Sequence, residues 1–215
     1  MDVEFKDAIV TICLIVFTSL LSIQTMKNQS IKYKYMFNAY AIHKRREWWR
    51  FFTHGVLHAD YQHLIFNMIS LAFFGISAEL YFTGMFPLYG KLLFLLLYVL
   101  GLAASSLYSY SKHKDNMYYN ALGASGAVSA VMFSSILMNP TSQIATMYMP
   151  VGMPAWVFGI VYLIISSVMA RRGQDNIGHD AHFWGGVFGL IFTGIIEPSL
   201  VTDFMDKVTS FSPDL

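Results

Sequence analysis

Long stretches without charged residues, separated by short polar segments, are the main pattern along this chain. Residues 8 to 26 and 92 to 111 hold no Asp, Glu, Lys or Arg, and residues 64 to 88 hold only Glu79. Residues 116 to 170 are also uncharged, and prolines at 140, 150 and 154 divide that stretch. A bilayer core is crossed by about 20 apolar residues in a helix. The pattern therefore predicts a multi-pass membrane protein.

Six membrane helices result when each apolar stretch is bounded by its breaks, with Glu197-Pro198 as the last stop signal. The predicted helices cover residues 8 to 26, 63 to 82, 91 to 111, 121 to 138, 153 to 170 and 181 to 197. Residues 1 to 215 are therefore expected to form one all-α domain. Acidic residues precede the first stretch and no small-residue cleavage site follows it, which favours a permanent helix over a signal peptide.

Composition supports the membrane interpretation. Hydrophobic residues make up 55% of the chain and charged residues 13%, whereas soluble domains average about 25% charged residues. Cys13 is the only cysteine, which excludes a disulfide framework and a metal site built from cysteines.

Basic and aromatic residues are interleaved between the first two predicted helices. Residues 27 to 50 hold seven Lys or Arg residues, and Trp48 and Trp49 lie among them. Such side chains suit a helix or loop in the lipid headgroup region. Membrane helices on both sides argue against nucleic acid as the partner.

Polar residues begin three of the six predicted helices. If the helices cross in alternation, the second, fourth and sixth start from one face. His63, Asn67, Ser125 and His182 then share one depth below that face. Polar and ionisable groups inside a membrane are costly and by default indicate function.

These residue types fit acyl transfer. Ser125 becomes a nucleophile when an imidazole takes its proton, and His182 would be that base and then the acid for the leaving amine. Ser125 is predicted in the first turn of its helix, where N–H groups and the helix dipole favour an oxyanion. His63 and Asn67, at i and i+4, share a helix face and would donate to the same oxyanion.

Small residues predict close packing of the fourth and sixth helices. Gly126 and Ala130 on one, and Gly185 and Gly189 on the other, have the spacing with which membrane helices pack tightly. Gly123 and Gly126 would also let the backbone approach a substrate. A Gly-x-Ser-Gly sequence alone is typical of helix packing, so the prediction rests on the joint pattern.

Together these motifs resemble the rhomboid family of intramembrane serine proteases. They are, in order, Trp49-Arg50, the series His54, His58, His63 and Asn67, then Glu79, then Gly123-Ala124-Ser125-Gly126, and finally Ala181-His182 with Gly185 and Gly189. The likeness covers nearly the whole chain. It implies a six-helix rhomboid-like bundle, with residues 27 to 50 as a membrane-inserted loop between helices 1 and 2.

The resemblance also implies the chemistry of the site. It implies a Ser125/His182 dyad, without a required acid, that cleaves transmembrane segments of membrane-protein substrates. The oxyanion hole would use His63, Asn67 and the backbone N–H groups of Ser125 and Ala124. No cofactor or metal is expected. The expected partners are those substrates and membrane lipid, and the expected location is a bacterial plasma membrane.

Four further motif residues are expected to support the structure. His54 and His58 would hold the inserted loop by hydrogen bonds, and Arg50 would support the same region. Glu79, late in the second helix, would satisfy backbone or loop donors.

Three features limit the analogy. Many family members have an aromatic residue four positions after the serine, stacked on the catalytic imidazole, where this chain has Ser129. Asp180 lies two residues before His182, which on a helix points it away from a triad role. Eleven Lys or Arg residues fall on the predicted active-site side and three on the other. The positive-inside rule makes that side cytoplasmic, whereas the family usually has it on the outer face.

Two other functions stay open. One is a metal site or metal transporter, since neutral imidazoles bind zinc, although it leaves the Gly-Ala-Ser-Gly motif unused. Its ligands would be His54, His58, His63, His179 and His182. The other is a catalytically weak rhomboid-like protein that binds membrane clients, although such relatives typically lack the serine or the histidine.

Overall fold

A computed structural model describes residues 5 to 146, 149 to 172 and 178 to 211 of the chain. Its helices are α1 (Ile9–Met26), α2 (Gln29–Tyr35), α3 (Ala39–Arg45), α4 (Arg50–Thr53), α5 (Tyr61–Met85), α6 (Gly90–His113), α7 (Ser125–Met138), α8 (Ala155–Arg172), α9 (His179–Ile196) and α10 (Ser199–Thr209). A short antiparallel hairpin, β1 (Gln143–Thr146) and β2 (Met149–Pro154), connects α7 to α8. The predicted all-α class is confirmed, with this hairpin as an addition.

Four of the described helices, α1, α5, α6 and α8, are each long and apolar enough to cross a membrane. The pair α9 and α10 meets the same criterion only when taken together, and the two are bent by 115°. Helix α7 has 14 residues, about 21 Å at 1.5 Å per residue, which is shorter than a bilayer core of about 30 Å. The multi-pass membrane class is thus supported, and the count of six spans stays a prediction.

Helix α7 lies at the centre of the bundle, which explains how so short a helix is accommodated. Every residue from Gly126 to Met138 is buried, so α7 contacts protein on all sides. Its first residue is Ser125, four positions later than the predicted start at residue 121. Gly123 has φ +122°, a conformation that a helix does not contain.

Other boundaries differ from the prediction by a few residues for local reasons. Helix α5 begins at Tyr61 because the Asp60 side chain accepts from the His63 N–H at 2.8 Å, which is an N-cap. Helix α9 begins at His179, two residues before the predicted start at residue 181. Neither the hairpin nor the amphipathic helix α10 was predicted.

Helices α7 and α9 are packed with their backbones in contact. A Cβ atom on Gly185 would collide with the Gly126 carbonyl oxygen, and one on Gly189 would collide with the Ala130 carbonyl oxygen. One turn further, Thr193 Oγ1 donates to Ser134 Oγ at 2.6 Å, and the two residues are 59 positions apart in the sequence. All three pairs share this offset, so the helices run in the same direction. The small-residue spacing of the sequence predicts this packing.

Glu79 is buried in the bundle and satisfies the first turn of α1. Its carboxylate accepts from the N–H groups of Val10 and Thr11 at 3.0 and 2.7 Å, and from the Thr11 hydroxyl at 2.8 Å. A carboxylate is favourable at a helix N-terminus because it complements the free N–H groups and the dipole. Glu79 is thus an acceptor for backbone donors of α1.

The segment between α1 and α5 folds as three short α-helices, of which α3 and α4 pack against α6 and α2 packs against α1. Buried Arg50 donates to the carbonyl oxygen of Met36 at 2.6 Å and pairs with Glu47 at 2.5 Å. The backbone of Phe37 exchanges two hydrogen bonds with Ala121, of 2.9 and 3.1 Å. The segment is thereby attached to the loop that precedes Ser125.

Replacing Gly185 by alanine is expected to destabilise the protein, because the added Cβ collides with the backbone of α7, which cannot rotate away. Overpacking typically costs about 1–3 kcal/mol. Gly84→Ala is the matched control, since no atom lies within 4 Å of its added Cβ and alanine favours a helix. Thermal unfolding in detergent measures both variants. A melting temperature of Gly185→Ala at or above that of the wild type contradicts the prediction.

Candidate active site

A turn at Gly123 and Ala124, called the serine turn here, leads into Ser125. Gly123 is buried, its φ is +122°, and its N–H donates to the His54 carbonyl oxygen at 3.0 Å. A Cβ at this position would lie 2.7 Å from Cε1 of the His63 ring. Glycine is therefore required twice here, for the backbone conformation and for the close approach of His63.

His58 holds the next residue of this turn, and its hydrogen bonds fix its tautomer. The Ser22 hydroxyl donates to the Val56 carbonyl oxygen at 2.8 Å, so it accepts from His58 Nδ1, also at 2.8 Å. His58 Nε2 then carries the lone pair, and it accepts from the Ala124 N–H at 3.4 Å. Both ring nitrogens of this fully buried histidine are thus engaged.

The Ala124 N–H thus already has an acceptor within the protein. It is therefore not among the donors that we propose for the oxyanion, although the family resemblance implies it. His58 supports the serine turn itself, and through Ser22 it ties that turn to α1.

His54 joins the same turn to α6. The Ser106 hydroxyl donates to the Leu102 carbonyl oxygen at 3.0 Å, which leaves its oxygen to accept from His54 Nε2 at 3.3 Å. The ring is buried and lies edge-on to Phe37, with ring centroids 5.8 Å apart. His54 therefore connects the segment between α1 and α5, the serine turn and α6.

Ser125 is the first residue of α7 and is partly exposed, whereas the rest of that helix is buried. The first N–H groups of a helix have no acceptor within the helix, and the dipole makes this end positive. This end of α7 therefore has the surroundings that a developing oxyanion needs, and the partly exposed Ser125 lies at it.

The offset between α7 and α9 places His182 at the same end as Ser125. His182 precedes Gly185 by three residues, less than one turn, and Ser125 directly precedes Gly126. The Ala181 carbonyl oxygen lies 3.5 Å from where a Cβ on Gly126 would be. The residues next to Ser125 and His182 are therefore neighbours in space.

An aromatic side chain from α8 lies on the His182 ring. The rings of Tyr162 and His182 are stacked, with centroids 6.1 Å apart and planes inclined by 29°. The Tyr162 hydroxyl is 2.7 Å from Ser129 Oγ. The sequence predicts no role for Tyr162, because nothing distinguishes it from other aromatic residues of an apolar helix. The serine at position 129, where an aromatic residue was expected, is the one sequence feature that points to a different neighbour for the imidazole.

His63 and Asn67 lie near the beginning of α5, on the side of the serine turn. The His63 ring is partly buried between Gly123 and His58, and the two imidazole centroids are 4.9 Å apart. Asn67 is buried, and its amide donates to the His63 carbonyl oxygen at 2.9 Å, which uses one of its two N–H hydrogens. The structure thus brings His63 to the turn that carries Ser125.

Asp180 accepts from the Ser109 hydroxyl of α6 at 2.9 Å. This bond agrees with the expectation that Asp180 does not serve as a triad acid. Within the described ranges, no three His, Cys, Asp or Glu side chains are grouped so that they could hold a metal ion. The alternative of a histidine metal site therefore lacks a ligand set in that part of the chain, and both nitrogens of His58 are already bonded.

A family model, the rhomboid domain, matches residues 45 to 198. The chain belongs to the rhomboid family. This family includes serine proteases that act on transmembrane substrates within membranes, and the apolar helices agree with an integral membrane protein.

Rhomboid relatives share part of their length with this chain. RHOMBOID-like protein 12, mitochondrial, of Arabidopsis thaliana is 32% identical over 65% of this chain and 44% of its own length. Rhomboid protease GluP of Bacillus subtilis is 29% identical over 69% of this chain and 27% of its own. The chain thus spans less than half the length of either relative. Because one of them is mitochondrial, the comparison gives no support for a bacterial plasma membrane in particular.

The rhomboid fold of this chain is expected to lose stability as the pH falls, because two buried histidines must stay neutral. Burial lowers the pKa of His54 from 6.5 to about 4 and that of His58 to about 3. Unfolding returns both rings to the ordinary pKa, so below about pH 6.5 the unfolded chain binds more protons. Stability is therefore full above about pH 6.5 and decreases towards pH 4 and 3, by up to about 1.4 kcal/mol per pH unit for each ring.

Unfolding of the detergent-solubilised protein between pH 7.5 and 5 measures this effect. His58→Gln is the control, since glutamine offers a donor and an acceptor but does not titrate. Its pH dependence should be shallower than that of the wild type. Identical slopes for the two proteins contradict the assignment to His58.

Proposed function

We propose that this protein is an intramembrane serine endopeptidase, with Ser125 as nucleophile and His182 as general base. The observation that carries the proposal is the shared offset of α7 and α9, which brings the serine and histidine ends of the two helices together. In support of the proposal, Ser125 is the partly exposed first residue of an otherwise buried helix.

In this mechanism His182 takes the Ser125 hydroxyl proton as Oγ attacks the carbonyl carbon of the scissile peptide bond. The tetrahedral intermediate breaks down when the imidazolium gives its proton to the leaving amine. Water then hydrolyses the acyl-enzyme with the same base. The partial exposure of Ser125 is consistent with access by both substrate and water.

Three donors are proposed for the oxyanion. The Ser125 N–H lies at the positive end of α7, where it lacks an intrahelical acceptor. The His63 ring lies against the serine turn, and the buried Asn67 amide has a second hydrogen to donate. His63 and Asn67 share a face of α5, so their donors would meet the same oxygen.

The proposed substrates are transmembrane segments of other membrane proteins. A helical peptide bond is shielded by its own hydrogen bonds, so segments that unwind easily are expected to be cleaved best. The proposed partners are these substrates and membrane lipid, and no cofactor is proposed.

Ser125→Ala and His182→Ala are each expected to abolish cleavage of a model transmembrane substrate while the protein stays folded. Each removes one member of the dyad without opening a large cavity. Ser111→Ala, an exposed serine on α6, is the matched control and should keep wild-type activity. The assay follows product formation by purified protein in detergent or liposomes, with a thermal unfolding curve for each variant.

Three outcomes distinguish the alternatives in the same assay. Turnover retained in Ser125→Ala contradicts the nucleophile. Activity lost with a chelator and restored by zinc supports the metal site. Stable binding of the substrate without cleavage by the wild type supports a client-binding protein.

Asn67→Ala and His63→Ala are each expected to lower kcat by about 10² to 10³ while leaving measurable activity, as loss of one oxyanion donor does. The double variant should be less impaired than the product of the two losses, because residues that act as a unit are not additive. His43→Ala, whose ring bonds Tyr110 outside the site, is the control. Wild-type rates in both single variants, with Ser125→Ala inactive, contradict these oxyanion donors and leave the dyad in place.

A further inference from the structure

Two of the contacts of Tyr162 lead to the proposed dyad. Its ring face is stacked on the His182 imidazole. Its hydroxyl bonds Ser129, the residue that stands four positions after Ser125.

The hydrogen bonds at Ser129 have a definite direction. The Ser129 hydroxyl donates to the carbonyl oxygen of Ser125 at 2.8 Å, and a hydroxyl has one hydrogen to give. The Tyr162 O–H therefore donates to Ser129 Oγ. Ser129 is 2% exposed, so an unbonded hydroxyl here would be costly. Tyr162 is thus linked through Ser129 to the backbone of the nucleophile itself.

We propose that Tyr162 is a positioning residue of the His182 imidazole, held at the level of the nucleophile by Ser129. The inference rests on the dyad proposed above. A general base must lie within hydrogen-bond reach of the proton that it takes. The stacked Tyr162 ring restricts rotation of the imidazole out of reach, together with the His179 ring, which lies edge-on to it with a centroid distance of 5.7 Å. Ser129, on α7, accepts the hydrogen bond of this tyrosine from α8.

Comparison of two leucine substitutions on α8 tests the proposal. Tyr162→Leu removes the stacked ring and the hydroxyl, and is expected to lower kcat about tenfold with little change in KM, in line with the upper range of aromatic pair energies. Phe158→Leu is the matched control, because Phe158 lies one turn earlier and packs against Tyr162, with ring centroids 6.2 Å apart. It should change kcat less than about twofold. Equal losses of kcat in the two variants overturn the proposal in favour of simple packing.

A double-mutant cycle tests the link through Ser129. Tyr162→Phe keeps the stacked ring and removes the hydroxyl, whereas Ser129→Ala removes the acceptor. Each should lower kcat about two- to threefold, and the double variant should be no slower than either one, since both remove the same bond. Losses that multiply overturn the link.

Nuclear magnetic resonance of histidine-labelled protein tests the contact without turnover. The His182 ring signals, identified by their absence in His182→Ala, should shift in Tyr162→Leu because an adjacent ring current is lost. They should stay in place in Phe158→Leu. Signals unaffected by Tyr162→Leu overturn the inference, whether or not the protein cleaves substrate. Absence of Ser125-dependent cleavage instead overturns the proposed protease function.

Discussion

The backbone contact between α7 and α9 is the constraint on which the rest of the structure depends. Gly185 and Gly189 place their Cα atoms where any side chain would collide with carbonyl oxygens of α7. In a membrane, helices do not associate by the hydrophobic effect, so close packing and interhelical hydrogen bonds must hold them together. The Thr193 to Ser134 bond adds such an interaction one turn further along. This contact sets the offset of the two helices and with it the neighbourhood of Ser125 and His182.

A second set of interactions holds the turn that leads into α7. Gly123 donates its N–H to the His54 carbonyl oxygen, and Ala124 donates its N–H to the His58 ring. Ser106 of α6 fixes the His54 ring, and Ser22 of α1 fixes the His58 ring. Buried polar groups are costly unless they are bonded. Burial lowers the pKa of both histidines, so each serves as a structural element in its neutral form.

Much of this arrangement was predictable because it follows from local sequence. Apolar stretches located the long helices, the four-residue spacing of small residues predicted the α7 and α9 contact, and an isolated intramembrane carboxylate predicted a structural acceptor at Glu79. Other features depend on tertiary packing and leave no local signal. The shortness of α7 results from the Gly123 turn and is tolerated because the helix is buried. The use of the Ala124 N–H depends on the tautomer of His58, which Ser22 determines from a distant helix.

Tyr162 shows how a contact expected from one position of a helix can be made from a different helix. The serine at position 129 suggests that the imidazole lacks its aromatic neighbour, but only if the neighbour must come from the same helix. In space, the ring comes from α8 and the serine becomes its hydrogen-bond acceptor. Only Ala155, Gly159 and Ser166 of α8 are buried, so the helix that carries this ring is attached to the bundle over a small part of its surface. The orientation of the proposed base is thus coupled to the position of a helix that has few buried residues.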